Sequence, residues 1–455
     1  MNNTNFSSLT LSKEILHNLN ELGFKEMTAI QAQSLPCILD GKDVIAQAKT
    51  GSGKTAAFGL GLLSRLDVKK FKIQSLVLCP TRELADQVAK ELRRLARTIH
   101  NIKILTLCGG NAFGPQLGSL RHGAHIIVGT PGRVLAHLTK GSLSLEALDI
   151  LVLDEADRML DMGFIEEIQN LISHAPQDRQ TLLFSATYPD TIMDLSSSIQ
   201  KDAIMIKTLE QESANNIQET FYESEDKPAT LVKLLAKHQP ETCIVFCNMK
   251  IQAQDMAKDL REKGIDALAI HGDLEQYQRN DVLVQFSNRS CSVLVATDVA
   301  ARGIDIKELD MVVNIDLAKD ESTYTHRIGR TGRAGASGLA FTIYGADQAR
   351  EADFYQNESR IFEDENTLSL AHKFSLKPKN VTLVIEGGKK DKVRPGDLLG
   401  ALTGEAGIEA KFVGKIDIYD RQAYVAIERS MIKQAHQCLK KGNIKGRKFD
   451  VWILD

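Results

Sequence analysis

Seven short apolar runs in this chain each end in a polar or glycine-containing cluster, and that repeated junction restricts the fold more than any other feature. Before residue 207 the runs lead from Cys79 to Thr81-Arg82, from Val128 to Thr130-Pro131-Gly132-Arg133, from Leu153 to Asp154-Glu155 and from Phe184 to Ser185-Ala186-Thr187. Between 217 and 365 they lead from Phe246 to Cys247-Asn248, from Ile270 to His271-Gly272-Asp273 and from Ala296 to Thr297-Asp298. Unbroken apolar runs suit strands buried on both faces. Helical patterns lie between them: Leu84, Val88, Leu92 and Leu95 share one face of the stretch Glu83 to Arg97. Strands alternating with helices make parallel sheets, and such sheets bind ligands at the carboxyl ends of their strands. The expected fold class is therefore α/β, with two parallel-sheet domains in tandem and a site where their strand ends face a common cleft.

A chain of 455 residues has room for about three domains. The boundaries expected are 1–207 and 217–365 for the two sheets, 208–216 and 366–375 for linkers, and 376–455 for a last domain. The stretch Leu209 to Asn216 is polar and aperiodic, as a linker is. In the last segment Thr382–Ile385, Gly414–Ile418, Ala423–Ile427 and Arg447–Ile453 read as strands, with helices near Gly396–Leu402 and Ser430–Lys441. The order βαββαβ predicts a small α+β domain of the RNA-recognition, ferredoxin-like type, an order shared by domains of many functions.

Charge is unevenly spread. The whole chain carries −3, but residues 376–455 hold 16 Lys plus Arg against 10 Asp plus Glu, which leaves residues 1–375 at −9. A basic tail on an acidic body points to a polyanionic partner for the tail. The seven cysteines show no zinc-type spacing and most lie in apolar runs, so reduced, buried thiols are expected. No apolar stretch reaches membrane-spanning length, and the amino terminus lacks a basic region followed by an apolar one. A soluble cytoplasmic protein is the expectation.

The run Ala48-Lys49-Thr50-Gly51-Ser52-Gly53-Lys54-Thr55 follows the strand-like Val44-Ile45-Ala46 and precedes a helix-compatible stretch. Glycines there let backbone N–H groups approach phosphates, Lys54 reaches the β- and γ-phosphates, and Thr55 can ligate Mg²⁺. Ala48 stands where the usual pattern has its first glycine. With this loop present, Asp154 is the expected second Mg²⁺ ligand and Glu155 the group that positions the attacking water. The cofactors expected are ATP and Mg²⁺.

Over roughly residues 6–345 the chain resembles a DEAD-box RNA helicase of superfamily two, whose named motif is Asp154-Glu155-Ala156-Asp157. The resemblance implies two RecA-like domains and an ATP-dependent RNA helicase, an RNA-dependent ATPase. The stretch Gly23 to Gln31 is similar to the family's adenine-reading Q motif, with Gln31 on the adenine edge, Phe24 in support and an upstream aromatic at Phe6; Met27 replaces the family's usual proline. By the same resemblance Thr50, Gly51, Ser52, Gly53, Gly303 and Asp305 touch the nucleotide, and Arg330 and Arg333 of His326-Arg327-Ile328-Gly329-Arg330-Thr331-Gly332-Arg333 act as arginine fingers. Ser185, Thr187, Asp157 and His326 are implied to couple hydrolysis to strand separation. Thr81, Arg82, Gly109, Gly110, Thr130, Arg133, Gln276, Arg279, Thr297 and Arg302 are implied RNA contacts.

The tail is similar to the carboxy-terminal RNA-binding domain of DbpA-type bacterial DEAD-box proteins, notably in Gly414 to Asp420 and in Tyr424-Val425-Ala426. The likeness implies 23S ribosomal RNA as the target, in precursors of the large ribosomal subunit, with no DNA or membrane partner and a monomeric protein. Aligned on the usual stacking pattern, Gln422 and Tyr424 occupy the two base-stacking positions and only one is aromatic. Base stacking on the sheet is thus in doubt, and Lys390, Lys392, Arg394, Lys445 and Arg447, beside Tyr424, are the tail contacts named. Two other readings remain at this point: an ATP-dependent RNA clamp or assembly scaffold, and a general mRNA-remodelling helicase.

Overall fold

In a computed structural model, residues 4–48, 51–188, 190–208, 217–301, 309–332, 337–357, 359–369, 374–405 and 407–454 are described. The chain forms two compact units that divide near residue 212. The linker expected at Leu209–Asn216 lies outside the described residues.

The first unit is built on the strands β1 (Val44–Gln47), β2 (Ser75–Leu78), β3 (Ile104–Leu107), β4 (Ile126–Gly129), β5 (Ile150–Asp154), β6 (Gln180–Ser185) and β7 (Ile204–Lys207). They form one parallel sheet in the order β3-β4-β2-β5-β6-β1-β7. Alternate residues of each strand feed separate cores on the two faces. Val77, Val128, Val152 and Phe184 join the helices Ala29–Leu39, Lys54–Arg65 and Arg82–Leu95 on one side. Leu76, Ile127, Leu151 and Leu183 pack on the other side against Val134, Met159 and Ile168. Burial on both faces explains why these strands read as continuous apolar runs.

The second unit repeats the plan. Its strands β8 (Ile217–Glu223), β9 (Cys243–Cys247), β10 (Ala267–Ile270), β11 (Val293–Thr297), β12 (Met311–Asn314), β13 (Gly338–Tyr344) and β14 (Arg360–Asp364) form a parallel sheet in the order β10-β11-β9-β12-β13-β8-β14. The same unit carries a four-stranded antiparallel sheet of β15 (Asn380–Ile385), β16 (Val413–Ile418), β17 (Ala423–Glu428) and β18 (Val451–Ile453), in the order β16-β17-β15-β18. Helices Pro395–Gly400 and Ile432–Lys441 complete the βαββαβ order read from the sequence. Leu383, Ile385, Val425 and Ile427 pack beneath the sheet with Leu398, Ala435 and Leu439. The last strand is shorter than expected. Lys445 and Gly446 adopt φ of 55° and 75°, and Ile444 and Arg447 exchange backbone hydrogen bonds across that turn, so Arg447 belongs to the turn and pairing with β15 begins at Val451.

Five cysteines, at 79, 108, 243, 247 and 291, are buried free thiols, whereas Cys37 and Cys438 are only half-buried because both sit on helix flanks. Burial pushes the Cys108 and Cys247 thiols up to about 12. Among the described residues no helix is long and apolar enough to cross a membrane.

One buried carboxylate closes the first unit at its strand starts. Asp43 accepts the Thr181 N–H at 2.7 Å and the Lys201 N–H at 2.8 Å, tying the entries of β1 and β6 to the turn before β7. Asp43→Ala leaves two donors without their acceptor and is expected to lower the stability of this unit by about 3 kcal/mol in urea titrations.

Candidate nucleotide and RNA site

The loop after β1 turns through Gly51 and Gly53, at φ of 89° and 95°, and delivers Lys54 to the first turn of the helix Lys54–Arg65. Gly53 is fixed by two conditions at once. Its left-handed backbone suits glycine, and a Cβ there would collide with the Gln31 amide. That amide accepts the Thr28 N–H at 2.9 Å and donates to the Gly53 carbonyl at 3.1 Å, so the expected adenine reader also braces the phosphate loop. Phe24 meets Phe6 edge-on at 6.2 Å. Met27, where the resembled family has proline, is buried and donates its N–H to the Thr4 carbonyl at 2.7 Å, a bond proline cannot make.

Lys54 and Asp154 are both buried, and the Lys54 Nζ and the Asp154 Oδ1 make no hydrogen bond. Burial pushes the Asp154 carboxyl up to about 6, with the Lys54 ammonium opposing and Glu155 and Asp157 adding to the rise. A buried ammonium and a buried carboxylate that attract each other yet keep polar atoms without hydrogen bonds fit a ligand that brings both phosphate and a divalent cation. Thr55, the other residue expected to ligate Mg²⁺, is half-buried one residue after Lys54. Glu155 ends β5 in the left-handed conformation, at φ 54°, and pairs with the buried Arg158 at 3.3 Å.

Asp157 links the acidic motif to β6. It accepts the Thr187 N–H at 3.0 Å and the Thr187 hydroxyl at 2.8 Å, while its own N–H donates to the Ser185 hydroxyl at 3.3 Å. The coupling residues expected in this unit are thus in direct contact.

On the same edge, Thr81 caps the helix Arg82–Leu95 through the Leu84 N–H, and the Arg82 guanidinium lies against Gly109 and Gly110. Thr130 precedes the helix Pro131–Thr139, whose Arg133 donates to the Asn111 carbonyl at 2.9 Å and to the Gln116 side chain at 2.7 Å. Gln116 also meets the His137 Nε2 at 3.1 Å and donates to the Cys108 carbonyl at 3.0 Å. Burial, then Arg133 and Lys140, hold the His137 pKa below its ordinary value. Gln116 and His137, which join two of the expected RNA motifs, carry no motif signature of their own.

In the second unit the fully buried Arg327 is the hub. It grips Asp298 with two bonds of 2.7 Å, donates to Asn248 at 2.8 Å and to the Asp316 carbonyl at 2.8 Å, and lies 5.3 Å from the Phe246 ring. It thereby joins the ends of β9, β11 and β12. Read in the sequence only as part of a basic run, Arg327 holds the loop that carries Arg330. Arg330 is itself buried, its backbone tied to Arg327 and Leu309, and His326 is half-buried. Thr297 is buried at the end of β11. Arg279 donates to the Ala300 carbonyl at 2.7 Å, and Gln276 to Asn280 at 3.1 Å, on the helix Gln276–Ser287. Thr50, Arg302, Gly303, Asp305 and Arg333 lie outside the described residues.

The tail needs one correction. Tyr424, expected to stack on RNA, is only 4% exposed. Its ring packs with Val284 and Val384, and its hydroxyl donates to Asp281 at 2.8 Å, because the helix Gln276–Ser287 covers this part of the sheet. Lys390, Lys392, Arg394, Lys445 and Arg447 are exposed, and their turns adjoin: the Lys445 ammonium donates to the Lys392 carbonyl at 3.0 Å.

Residues 28–195 match the DEAD/DEAH box helicase family, 226–335 the helicase conserved C-terminal domain, and 382–453 the DbpA RNA binding domain. The ATP-dependent RNA helicase DbpA of Escherichia coli is 52% identical, over 99% of this chain and 100% of that protein. The DEAD-box ATP-dependent RNA helicase CshA of Geobacillus kaustophilus is 44% identical over 75% of this chain and 73% of its own length. Among solved structures, S. cerevisiae Dbp5 bound to RNA and ADP BeF3 covers 80% of this chain and 96% of its own, with a TM-score of 0.70 at 29% identity.

Gly53→Ala is expected to weaken ATP binding by about tenfold or more while the far-UV circular dichroism of the protein is kept, as read by nucleotide titration of the purified variant.

Proposed function

We propose, for a chain that belongs to the DEAD-box ATP-dependent RNA helicases of DbpA type, that its tail directs local, ATP-driven unwinding of RNA duplexes to 23S ribosomal RNA during large-subunit assembly. The observation that carries this reading is the basic end of the tail, where the turns holding Lys390, Lys392 and Arg394 meet the turn holding Lys445 and Arg447. Adjacent exposed cations on well-packed turns suit the phosphates of a folded RNA. The protein is assigned to the cytoplasm and acts as a monomer.

Backbone N–H groups of the loop and the Lys54 ammonium hold the ATP phosphates. Thr55 and Asp154 would hold Mg²⁺, which when bound would supply charge neutralisation at the phosphate oxygens. Glu155, fixed by Arg158, orients the water that attacks the γ-phosphorus. Gln31 reads adenine with Phe24 in support, and Gly303 and Asp305 join the nucleotide contacts. Arg330 and Arg333 stabilise charge on the transferring phosphoryl group. Asp157, Ser185, Thr187 and His326 transmit hydrolysis to the RNA side. There Thr81, Arg82, Gly109, Gly110, Thr130, Arg133, Gln276, Arg279, Thr297 and Arg302 hold the sugar-phosphate backbone, which fixes register without reading bases.

Glu155→Gln is expected to keep ATP affinity within about threefold and to lower kcat about 100-fold or more. Arg330→Ala is expected to cut RNA-stimulated kcat by a similar factor, about 100-fold, with little change in ATP affinity; equal losses in the two count against the finger role. The target is tested by ATPase stimulation with 23S rRNA, 16S rRNA and an unrelated structured RNA. The intact chain is compared with a Lys392→Glu, Arg394→Glu, Lys445→Glu variant and with a chain lacking residues 376–455. A preference for 23S rRNA that vanishes in both variants is expected. No preference, or one untouched by either change, overturns the assignment.

A further inference from the structure

Alternation along the tail strands separates two faces. Leu383, Ile385, Ala423, Val425 and Ile427 face the tail's own core. Thr382, Val384, Tyr424 and Ala426 face the other way, and an isolated domain would leave that face to water or bases. Here these four are 0%, 1%, 4% and 0% exposed. The cover is the carboxyl half of the helix Gln276–Ser287 and the residue after it. Val284 packs on Val384 and Tyr424, and the Tyr424 hydroxyl donates to Asp281. Asn288 donates to the Thr382 hydroxyl at 2.9 Å and accepts from Asn380 at 3.1 Å, and Lys415 reaches the Ser287 hydroxyl at 3.2 Å. A closed apolar patch ringed by directional hydrogen bonds fixes rotation as well as contact, unlike a flexible tether.

The same helix carries Gln276 and Arg279 nearer its amino end, and Arg279 is bonded to the Ala300 carbonyl after β11. At about 100° per residue, the side facing the tail and the side bearing Gln276 and Arg279 lie roughly 140° apart around the helix. One rigid element thus touches the tail sheet on one side and bears two of the assigned RNA contacts on the other.

We infer that the outer face of the tail sheet is a standing docking face for the helix Gln276–Ser287. By this contact the tail presents its RNA to Gln276 and Arg279 in one orientation. The preferred partner is an RNA whose own fold holds a tail-bound element and a helicase-bound strand at that separation, so the docked contact selects among RNAs without touching any of them. This rests on the tail-targeting reading above.

The test uses the full chain and its single tryptophan, Trp452, which pairs with Val384 on the edge strand and is 38% exposed. Val384→Asp places a charge against Val284 and leaves the tail's own core untouched. Tyr424→Phe removes only the hydroxyl and is the milder second variant. Acrylamide quenching of Trp452 reports undocking, a gel shift without ATP reports 23S rRNA binding, and ATPase assays compare 23S rRNA with poly(A). For Val384→Asp, faster quenching is expected with 23S binding within about threefold and poly(A)-stimulated turnover within about twofold, while the 23S advantage over poly(A) falls by about tenfold. Tyr424→Phe is expected to fall between this variant and the parent. A freely quenched variant that keeps its full 23S advantage overturns the inference. A disulfide between Asn288→Cys and Thr382→Cys is expected to leave that advantage intact; its loss on oxidation and return on reduction overturns the inference equally. If the parent chain shows no 23S preference, the targeting reading fails by itself. Unchanged quenching and a disulfide that does not form then reject the docked face separately.

Discussion

Parallel strands point one way, so every strand of a parallel sheet releases its chain at the same edge, and that constraint gathers many of the proposed site residues. In the first unit the edge receives Lys54, Asp154 and Glu155, the Ser185 and Thr187 hydroxyls, and the turns at Thr81 and Thr130. In the second it receives Asn248, Thr297 and Asp298. Backbone polar groups that leave a sheet edge need partners, and here the partners are the side chains that the proposed reaction uses. In the first unit some of these groups, Asp157, Ser185 and Thr187, serve both as strand-end contacts and as proposed coupling residues.

Arg327 in the second unit and Lys54 with Asp154 in the first show buried charge handled in two different ways. Arg327 is fully buried, yet it has two bonds to Asp298 and further bonds to Asn248 and the Asp316 carbonyl. It is a finished structural joint, and removing either partner would strand a charge. Lys54 and Asp154 are buried without such satisfaction. That deficit is a cost which the proposed nucleotide and its metal would offset, so part of the desolvation that such binding requires is already built into the fold.

Both parallel sheets and the βαββαβ order of the tail were legible because unbroken apolar runs and alternating runs reflect burial on two faces or one. The phosphate loop and the acidic motif were legible because glycines and charges at strand ends have few other uses. Tyr424 was not. Its alternation placed it on the outer face, but no local pattern says that the covering is a helix from some 140 residues earlier in the chain. Arg447 was assigned to a strand because its neighbours alternate, and the turn at Lys445 and Gly446 is what stops the pairing. Arg327 and Gln116 were passed over for a further reason: their importance lies in what they join, and a joint between distant strand ends leaves no periodicity. The one available signal for Arg327 was its place in a cationic run that a helix buries.

The split between an acidic body and a basic tail has a kinetic consequence. RNA repels residues 1–375, at −9, and attracts the remaining residues, at +6. The long-range field therefore favours encounters in which the tail arrives first and slows those led by the helicase sheets. Beyond a Debye length of about 8 Å at physiological salt this bias fades, so ionic strength sets the order of events along the approach as well as the strength of the final complex. Charge alone thus biases which segment an RNA meets first, before any shape is read.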